Sequence, residues 1–378
     1  MQTDSLSFPS VFSSFWKRWG ELWVGVGLAL CIGLIYYLST PELVSPFDYT
    51  FRMARALLQG QVGLQETPPP YLNEMIPLNG RYYSVFPLGS LLTVLPHAWV
   101  AEQGWIQAYP SAQVAGLIAA AIAWVAYGLA SHYGFSLGMR CLLVLFLLLG
   151  NWTWCNLVFG GAWHLTLGFA LLGQLAALYF ILVCRIPWLA GLCFALAFGN
   201  RTELVLLAPL FLYLLVREDL FVDNWLARVW RPVLAFCLVP FGLGVATLGY
   251  NYLRFGSITD FGKSRIPGVL EEPWFADGIF ALSALGRNLQ EMLLRPWKQV
   301  EGFPYFVPTG FGGSIFLASP FLLLLFRPQN LRHPCVIVSW IALGVTTAIL
   351  WLHGNPGVAV LLSLCHESAA LDLLDPTA

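Results

Sequence analysis

Apolar residues gather into long runs along this chain, and the few charged residues separate the runs. The longer runs match the ~20 residues that a helix needs to cross the hydrocarbon core of a bilayer. Nine runs are predicted to span the membrane: 22–38, 112–131, 139–157, 164–184, 186–200, 203–216, 232–252, 312–326 and 334–352. The pattern therefore predicts an all-α, polytopic membrane bundle of about nine spans.

One further apolar stretch, 85–104, is not counted as a span. Pro87, Pro96 and His97 interrupt it, and it ends in Glu102. If this stretch crossed the membrane, the orientation of every later segment would be inverted. The cations between 217 and 231 would then lie outside the cytoplasm. We expect it to lie in the outer interface or to re-enter there.

The cations favour one orientation. With 85–104 outside the core, nine of the nineteen Lys and Arg fall in cytoplasmic connections: Lys17, Arg18, Arg140, Arg185, Arg217, Arg228, Arg231, Arg327 and Arg332. The positive-inside rule then places the N-terminal segment 1–20 in the cytoplasm. Two long outer loops remain, 40–111 and 253–311, rich in Pro, Gly, Trp and Tyr. We expect them to form a small cap over the bundle and to carry the function.

Composition narrows the class of protein. The chain has 378 residues, of which 58% are hydrophobic and 10% charged, which excludes a soluble globular fold. The net charge of −1 gives no basic surface for nucleic acid. The eight cysteines form no Cys-x-x-Cys pair and no metal spacing, so we interpret them as small core residues. No eukaryotic targeting signal is visible, and we expect a multi-pass protein of a bacterial inner (plasma) membrane.

The first outer loop contains two local signals. Pro46 and Gly60 are a helix start and a helix stop, with Asp48 in the first turn of the short interfacial helix between them. Asn79-Gly80, flanked by aromatic or apolar arms, predicts a small hairpin, with Glu74 just upstream. Asp48 either complements the helix dipole or acts chemically.

Several short motifs share an order and a placement at the outer face. They are Asp48 after the first span, Ala-x-x-Leu-x-x-Gly at 54–60, Asn-Gly-Arg-Tyr-Tyr at 79–83, Phe-Pro-x-Gly at 86–89, Trp163-His164, Asn200-Arg201 and the segment 250–257. Together they resemble the GT-C superfamily of membrane glycosyltransferases, over most of residues 20–355. Such enzymes often carry a double Pro before the Gly, where this chain has Pro87-Leu88.

The resemblance implies transfer of a hexose or pentose, with inversion, from a polyprenyl-phosphate carrier to a glycan, lipid or protein acceptor outside the cytoplasm. The attacking hydroxyl must lose a proton, for which Asp48 is the best candidate base. Negative charge grows on the departing phosphate, and the planar fork of Arg201 matches phosphate oxygens. Glu74 and His164 are further catalytic candidates. The substrate-binding candidates are Arg201, Arg81, Tyr82, Trp163 and Asn251.

Structural alternatives stand beside these roles. Arg201 could snorkel to the interface beside Glu203, and His164 could be an ordinary interfacial residue. Glu74 could assist Asp48, hold a divalent cation with it or pair with Arg81. Two carboxylates in one loop do not make a metal site, and we expect no cofactor.

Two other classes of function compete with the transferase. A transporter or flippase would suit a bundle of nine spans with Gly and Pro inside them, and a structural membrane subunit is the third interpretation. Carriers keep ionisable residues at mid-membrane depth. Here the charges crowd into the outer loops, which favours an enzyme that works at the outer face.

The predicted membrane domain, 21–352, is followed by an atypical tail, 353–378. The apolar run in this tail is too short to span the membrane, and it is more apolar than an ordinary solvent-exposed terminus. A relative of the family would continue outside with an aromatic, Arg-containing segment. Many sets of codons can encode Val358 to Glu367. One of these sets, when it is read one nucleotide later, encodes Trp-Gln-Phe-Tyr-Tyr-Arg-Tyr-Ala-Met. A native short tail and a frameshift near Gly357 both stay open, and the gene sequence decides between them.

The orientation is testable with topology reporters. A reporter fused between Arg217 and Arg231 is expected to report the cytoplasm, and one fused near Lys263 the opposite side, because the first segment carries the short-loop cations. A reversed pattern would mean that 85–104 crosses the membrane.

Overall fold

The computed structural model describes residues 8–220, 222–302, 305–307, 313–326 and 332–353. Helices dominate this part of the chain: α1 Phe8–Ser39, α2 Tyr49–Leu58, α3 Leu88–Glu102, α4 Ser111–His132, α5 Leu137–Leu149, α6 Trp152–Val158, α7 Ala162–Leu182, α8 Pro187–Asn200, α9 Ala208–Val216, α10 Trp225–Phe255, α11 Ala284–Leu289, α12 Ile315–Ala318 and α13 Pro334–Leu352. Two antiparallel hairpins pair β1 Ile76–Leu78 with β2 Arg81–Tyr83, and β3 Lys298–Gln299 with β4 Phe306–Val307. The predicted tail lies outside the described residues from 354 onwards.

Four of the described helices are long and apolar enough to cross a membrane: Trp19–Ser39 within α1, then α4, α7 and α10. The pair α5 and α6 makes a fifth if it is one bent span. The segments Pro187–Asn200, Thr202–Val216 and Pro334–Ala348 are shorter apolar helices. A helical protein with several candidate spans is therefore confirmed, and the count of nine stays a prediction.

Three of the predicted spans are interrupted, and one of them, 203–216, begins as the 3₁₀ segment Thr202–Leu207 and continues as α9. The run 139–157 bends by 52° between α5 and α6. There the Asn151 side chain donates to the Leu147 carbonyl oxygen at 2.8 Å and accepts from the Thr153 amide at 2.7 Å, in place of helical bonds. The described part of 312–326 forms α12 and the 3₁₀ segment Pro320–Phe326. Pro320 lacks the N–H that a continuous helix would use.

The helix ends meet in two groups. At one end, the Ser45 amide donates to Ser111 Oγ at 2.8 Å, and the Ala162 amide donates to the Phe47 carbonyl oxygen at 2.9 Å. At the other end, Arg140 pairs with Glu21 at 2.9 Å, which joins the start of α5 to the start of the α1 span. We call the first group the loop end, because the segments around Phe47 and Ser111 begin and close the first outer loop there.

Both local predictions in the first outer loop are confirmed as secondary structure. Asn79 and Gly80 have φ values of 51° and 71°, which is the left-handed pair that a two-residue hairpin turn requires. The predicted short helix is α2, with Asp48 at its N-cap position and Gly60 beyond its end at a φ of 73°. The Asp48 side chain makes no capping hydrogen bond.

A buried arginine fastens the end of α10 to the first outer loop. Arg254 donates to the carbonyl oxygens of Ser84 at 2.6 Å and Phe86 at 3.3 Å. Its guanidinium carbon lies 4.0 Å from the ring centroid of Tyr250 and 4.7 Å from that of Phe255. Carbonyl dipoles and aromatic faces thus stabilise this buried charge.

The start of α3 touches the end of α8 at two glycines. A Cβ added to Gly89 would lie 2.4 Å from the Gly199 Cα, a distance that permits no side chain. The glycine of the Phe-Pro-x-Gly motif is therefore needed for close backbone contact. Asn200 donates from Nδ2 to Thr93 Oγ1 at 2.9 Å, which fixes the two helices beside the residue that follows, Arg201.

We expect Gly89→Ala to destabilise the protein by about 1–3 kcal/mol, because the new methyl group overlaps the backbone of α8. The measurement is thermal unfolding in detergent. Gly244→Ala is the matched control, since a Cβ there meets nothing within 4 Å and alanine favours helix. Equal effects of the two substitutions would contradict the close contact.

Candidate functional site

Trp163, in the first turn of α7, is the centre of the candidate site. Its indole N–H donates to Glu74 Oε2 at 2.8 Å, and its carbonyl oxygen accepts from Arg201 Nη2 at 2.9 Å. Its ring lies 4.9 Å from that of Tyr49 and 5.7 Å from that of Phe47, centroid to centroid. Three predicted site residues, Glu74, Trp163 and Arg201, are therefore in contact.

Arg201 is the junction between α8 and the 3₁₀ segment Thr202–Leu207. Its backbone is extended, with a φ of −138°, because the helix has ended at Asn200. Besides the bond to Trp163, the described part of the chain provides no partner for its Nε, and the same holds for the buried Oε1 of Glu203 nearby. The guanidinium thus keeps donor capacity for a further anionic group.

A second cation, Lys263, belongs to this region. Its Nζ lies 2.5 Å from His353 Nε2, and the Lys263 ammonium donates to that ring nitrogen. Burial lowers the pKa of Lys263 to about 8, although the negative charge of Glu74 opposes the shift. Sequence reasoning did not single out Lys263, because nothing local separates it from the other cations of the second outer loop.

His353 is held firmly where it meets Lys263. Asn288 donates to the His353 carbonyl oxygen at 2.6 Å, and the rings of Phe275 and Phe280 approach the imidazole edge-on at 5.7 and 5.4 Å. The predicted boundary at 352/353 assigned this residue to a separate tail. In the structure it packs against the second outer loop.

Glu74 is a carboxylate on which the charges of both cations act. Burial raises its pKa, and the hydrogen bond from Trp163 together with the charges of Lys263 and Arg201 opposes the rise. The alternative that Glu74 pairs with Arg81 is not seen among the described ion pairs. The carboxylate binds the Trp163 indole instead.

Asp48 has a different electrostatic environment. Its Oδ1 accepts from Arg52 Nε at 2.6 Å, one helical turn along α2, and the side chain is 16% exposed. Burial raises the pKa of Asp48, and Arg52 opposes the rise. The neighbouring rings of Phe47 and Tyr49 bring Asp48 to the edge of the site, but its carboxylate faces a cation of its own helix.

The other predicted site residues lie apart from this cluster or are engaged elsewhere. Tyr82 exchanges two backbone hydrogen bonds with Leu64, at 2.8 and 2.9 Å, and shares strand β2 with Arg81. The Asn251 amide donates to the Ile258 carbonyl oxygen at 3.2 Å and accepts from Arg254 at 2.7 Å. Asn251 therefore holds the chain after α10 in place, and we leave it out of the substrate-binding groups proposed below.

His164 follows Trp163 and is half-buried in the first turn of α7. Its ring centroid lies 5.4 Å from that of Phe159, and its side chain lines a small cavity beside α6. Within the described residues, no three His, Cys, Asp or Glu side chains converge as a metal site would require. The groups that the site offers are two cations, two carboxylates and a cluster of aromatic rings.

Comparison of the chain with protein-family models, with curated proteins and with solved structures gave no match.

The lowered pKa of Lys263 predicts a pH-dependent stability. Between about 8 and the usual 10.5, the unfolded chain binds more protons at this residue than the folded chain. The contribution of Lys263 to the free energy of unfolding therefore increases as the pH rises through this window. We expect the midpoint of wild-type thermal unfolding, relative to Lys263→Met, to increase across it.

Lys298→Met is the matched control, because the Lys298 side chain is exposed on β3. A difference between wild type and Lys263→Met that stays flat with pH would contradict the buried position of the ammonium.

Proposed function

We propose that this protein is a GT-C-type glycosyltransferase that moves a hexose or pentose from a polyprenyl-phosphate carrier to an acceptor at the non-cytoplasmic face. One observation carries the proposal: Glu74 and Arg201, from distant segments, both hydrogen-bond Trp163 at the loop end, and the charges of Arg201 and Lys263 both act on the Glu74 carboxyl. Cations gathered beneath loops, at the end of an apolar bundle, suit a lipid-linked anion whose tail stays in the bilayer.

In the proposed reaction, the cations hold the phosphate of the donor. As the bond between the anomeric carbon and the phosphate oxygen breaks, its electron pair leaves with the phosphate. Arg201 supplies planar, paired N–H donors, and Lys263 supplies a compact point charge. The negative charge of Glu74 opposes the repulsion between the two like charges until the donor arrives.

The acceptor hydroxyl attacks from the side opposite the phosphate and loses its proton to a carboxylate. We assign the acceptance of this proton to Asp48. Burial raises the pKa of Asp48, and its hydrogen bond with Arg52 keeps the carboxylate in one orientation. One displacement of this kind inverts the anomeric centre. The exposed Phe47 and the partly exposed Trp163, whose rings pack against each other, offer aromatic faces on which the sugar ring stacks.

The proposed topology has nine spans, a cytoplasmic N-terminus and a cap formed by the two outer loops. The starts of α4 and α7 and the end of α8 meet at the loop end, which supports this arrangement. The ion pair of Arg140 with Glu21 and that of Arg185 with Glu218, at 2.9 Å each, lie on the side assigned to the cytoplasm. A bacterial inner membrane remains our expectation for the location.

The distribution of charge favours the transferase over a transporter. In the five candidate spans, Asp, Glu, Lys and Arg occur close to the helix ends, as with Glu21, Arg140 and Arg254. A transport path would need ionisable groups at mid-depth. The converging charges lie instead at the surface where a lipid-linked donor and a polar acceptor could meet.

Asp48→Asn is expected to reduce sugar transfer by roughly 10²–10⁴-fold, because the amide keeps the shape of the side chain but cannot take the proton. The measurement is transfer from labelled polyprenyl-phosphate sugars in membranes that contain the full chain. Insertion and abundance should stay unchanged. Undiminished transfer would remove Asp48 from the mechanism.

Two further variants complete this experiment. Arg201→Lys should bind and use the donor poorly, and Arg201→Ala worse, because a point charge cannot copy the planar fork. Asp219→Asn, at an exposed aspartate that pairs with Arg228 far from the loop end, is the matched control and should transfer normally. If wild-type membranes transfer none of the labelled sugars but move the lipid across the bilayer, the transporter interpretation is favoured.

A further inference from the structure

The second outer loop is attached to the end of α13 by backbone contacts as well as by side chains. The Ala281 amide donates to the Leu352 carbonyl oxygen at 2.8 Å, and Phe280 forms an isolated β-bridge with His353. The loop that carries Lys263 is therefore held in place by the last residues of α13.

His353 is a buried residue that can change its charge near neutral pH. It is 3% exposed, and its Nε2 accepts from the Lys263 ammonium at 2.5 Å. An ammonium can only donate, so this hydrogen bond needs a ring nitrogen without a proton. A proton on Nε2 would replace the bond by a contact between two cations, at a buried position where water screens their repulsion weakly.

We propose that neutral His353 is a positioning residue, which holds Lys263 and the second outer loop against the bundle, and that protonation of His353 releases both. An undocked histidine takes up a proton at a pKa of about 6.5. Because the undocked chain binds this proton and the docked chain does not, docking is favoured above that pH and weakens as the pH falls below it.

The consequence for the site rests on the proposed function. Lys263 is one of the two cations assigned to the donor phosphate, so the site would be complete at neutral pH and would lose this cation in acid. His353 itself touches no substrate in this proposal. It acts through Lys263.

Charged groups from other segments also act on Lys263. Glu74, Glu203 and Glu272 act on it as negative charges, and Arg201 acts as a like charge. Burial raises the pKa of Glu74, so protonation of this carboxyl in acid removes one favourable charge. That change acts in the same direction as protonation of His353, and the experiment has to separate the two groups.

The segments around His353 carry further charged residues. α13 contains no Asp, Glu, Lys or Arg. On the second outer loop and α11, the following charged side chains are exposed: Arg265, Glu271, Asp277 and Arg287. Arg265 also pairs with Asp260 at 2.6 Å. Lys263 is therefore the cation that a protonated imidazole would meet.

The test is hydrogen–deuterium exchange of the full chain in lipid nanodiscs at about pH 5 and about pH 7.5, with rates corrected for the pH dependence of intrinsic exchange. The reporter is the amide of Ala281, whose hydrogen bond to Leu352 forms when the loop is docked. If only the undocked His353 takes up a proton, docking weakens by about 30-fold between the two pH values. We expect the corrected exchange of Ala281 in the wild type to accelerate by up to this factor.

Two variants test the assignment to the pair. His353→Gln keeps an acceptor for Lys263 but does not titrate, so its corrected exchange should change much less than that of the wild type. Lys263→Met removes the second cation, and its acceleration should also be much smaller. His132→Gln is the matched control, because His132 is exposed in the last turn of α4, and this variant should respond as the wild type does.

A wild type without acceleration would overturn the proposal. Equal acceleration in the wild type and in His353→Gln would also overturn it and would assign the acid response to another group, such as Glu74. Thermal unfolding shows whether His353→Gln has folded. If it has not, Lys263→Met decides, and a full wild-type response in that variant would count against the pair.

The exchange measurement does not depend on turnover. A chain that transfers no sugar can still show the acid response, and an unchanged exchange rate would leave the transferase proposal standing. If both proposals hold, the KM for the donor rises in acid for the wild type and rises much less for His353→Gln.

Discussion

The two hydrogen bonds of Trp163 connect the parts of the molecule on which the candidate site depends. The indole N–H binds Glu74 of the first outer loop, and the carbonyl oxygen binds Arg201 at the end of α8. That carbonyl lies in the first turn of α7, so the bond connects α7 to the end of α8. Without this bond, the Arg201 guanidinium would lie beside apolar helices with no hydrogen-bond partner, which is energetically costly. One residue thus binds both a carboxylate and a cation.

A related constraint explains how the first long loop is held against the helices. Loop backbone beside a membrane must satisfy its polar groups within the protein. Arg254 meets part of this need by donating to the carbonyl oxygens of Ser84 and Phe86, between the first hairpin and α3. The α3 helix in turn contacts α8 at Gly89 and Gly199, next to Arg201. Loop order and site geometry therefore depend on the same contacts.

Local sequence chemistry predicted the hairpin at Asn79-Gly80 and the helix that begins after Asp48, because each is specified by residues within a few positions. It did not predict the pairing of Glu74 with Trp163, which joins residues 89 positions apart, nor that of Lys263 with His353, which are 90 apart. Such contacts follow from the way the helices pack. The bend after α5 was also missed, since periodicity in 139–157 is unaffected by the two hydrogen bonds of Asn151.

The two carboxylates of the site differ in where their cations come from. Arg52 lies one turn from Asp48 on the same helix, so that pair persists whatever the second outer loop does. The charges that act on Glu74 come from Arg201 at the α8 junction and from Lys263 in the second long loop, so its electrostatic environment exists only when three segments are assembled. Asp48 is therefore suited to a constant role such as proton acceptance. Glu74 is suited to a conditional one, because a displaced Lys263 or Arg201 would leave its buried charge uncompensated and favour the protonated carboxyl.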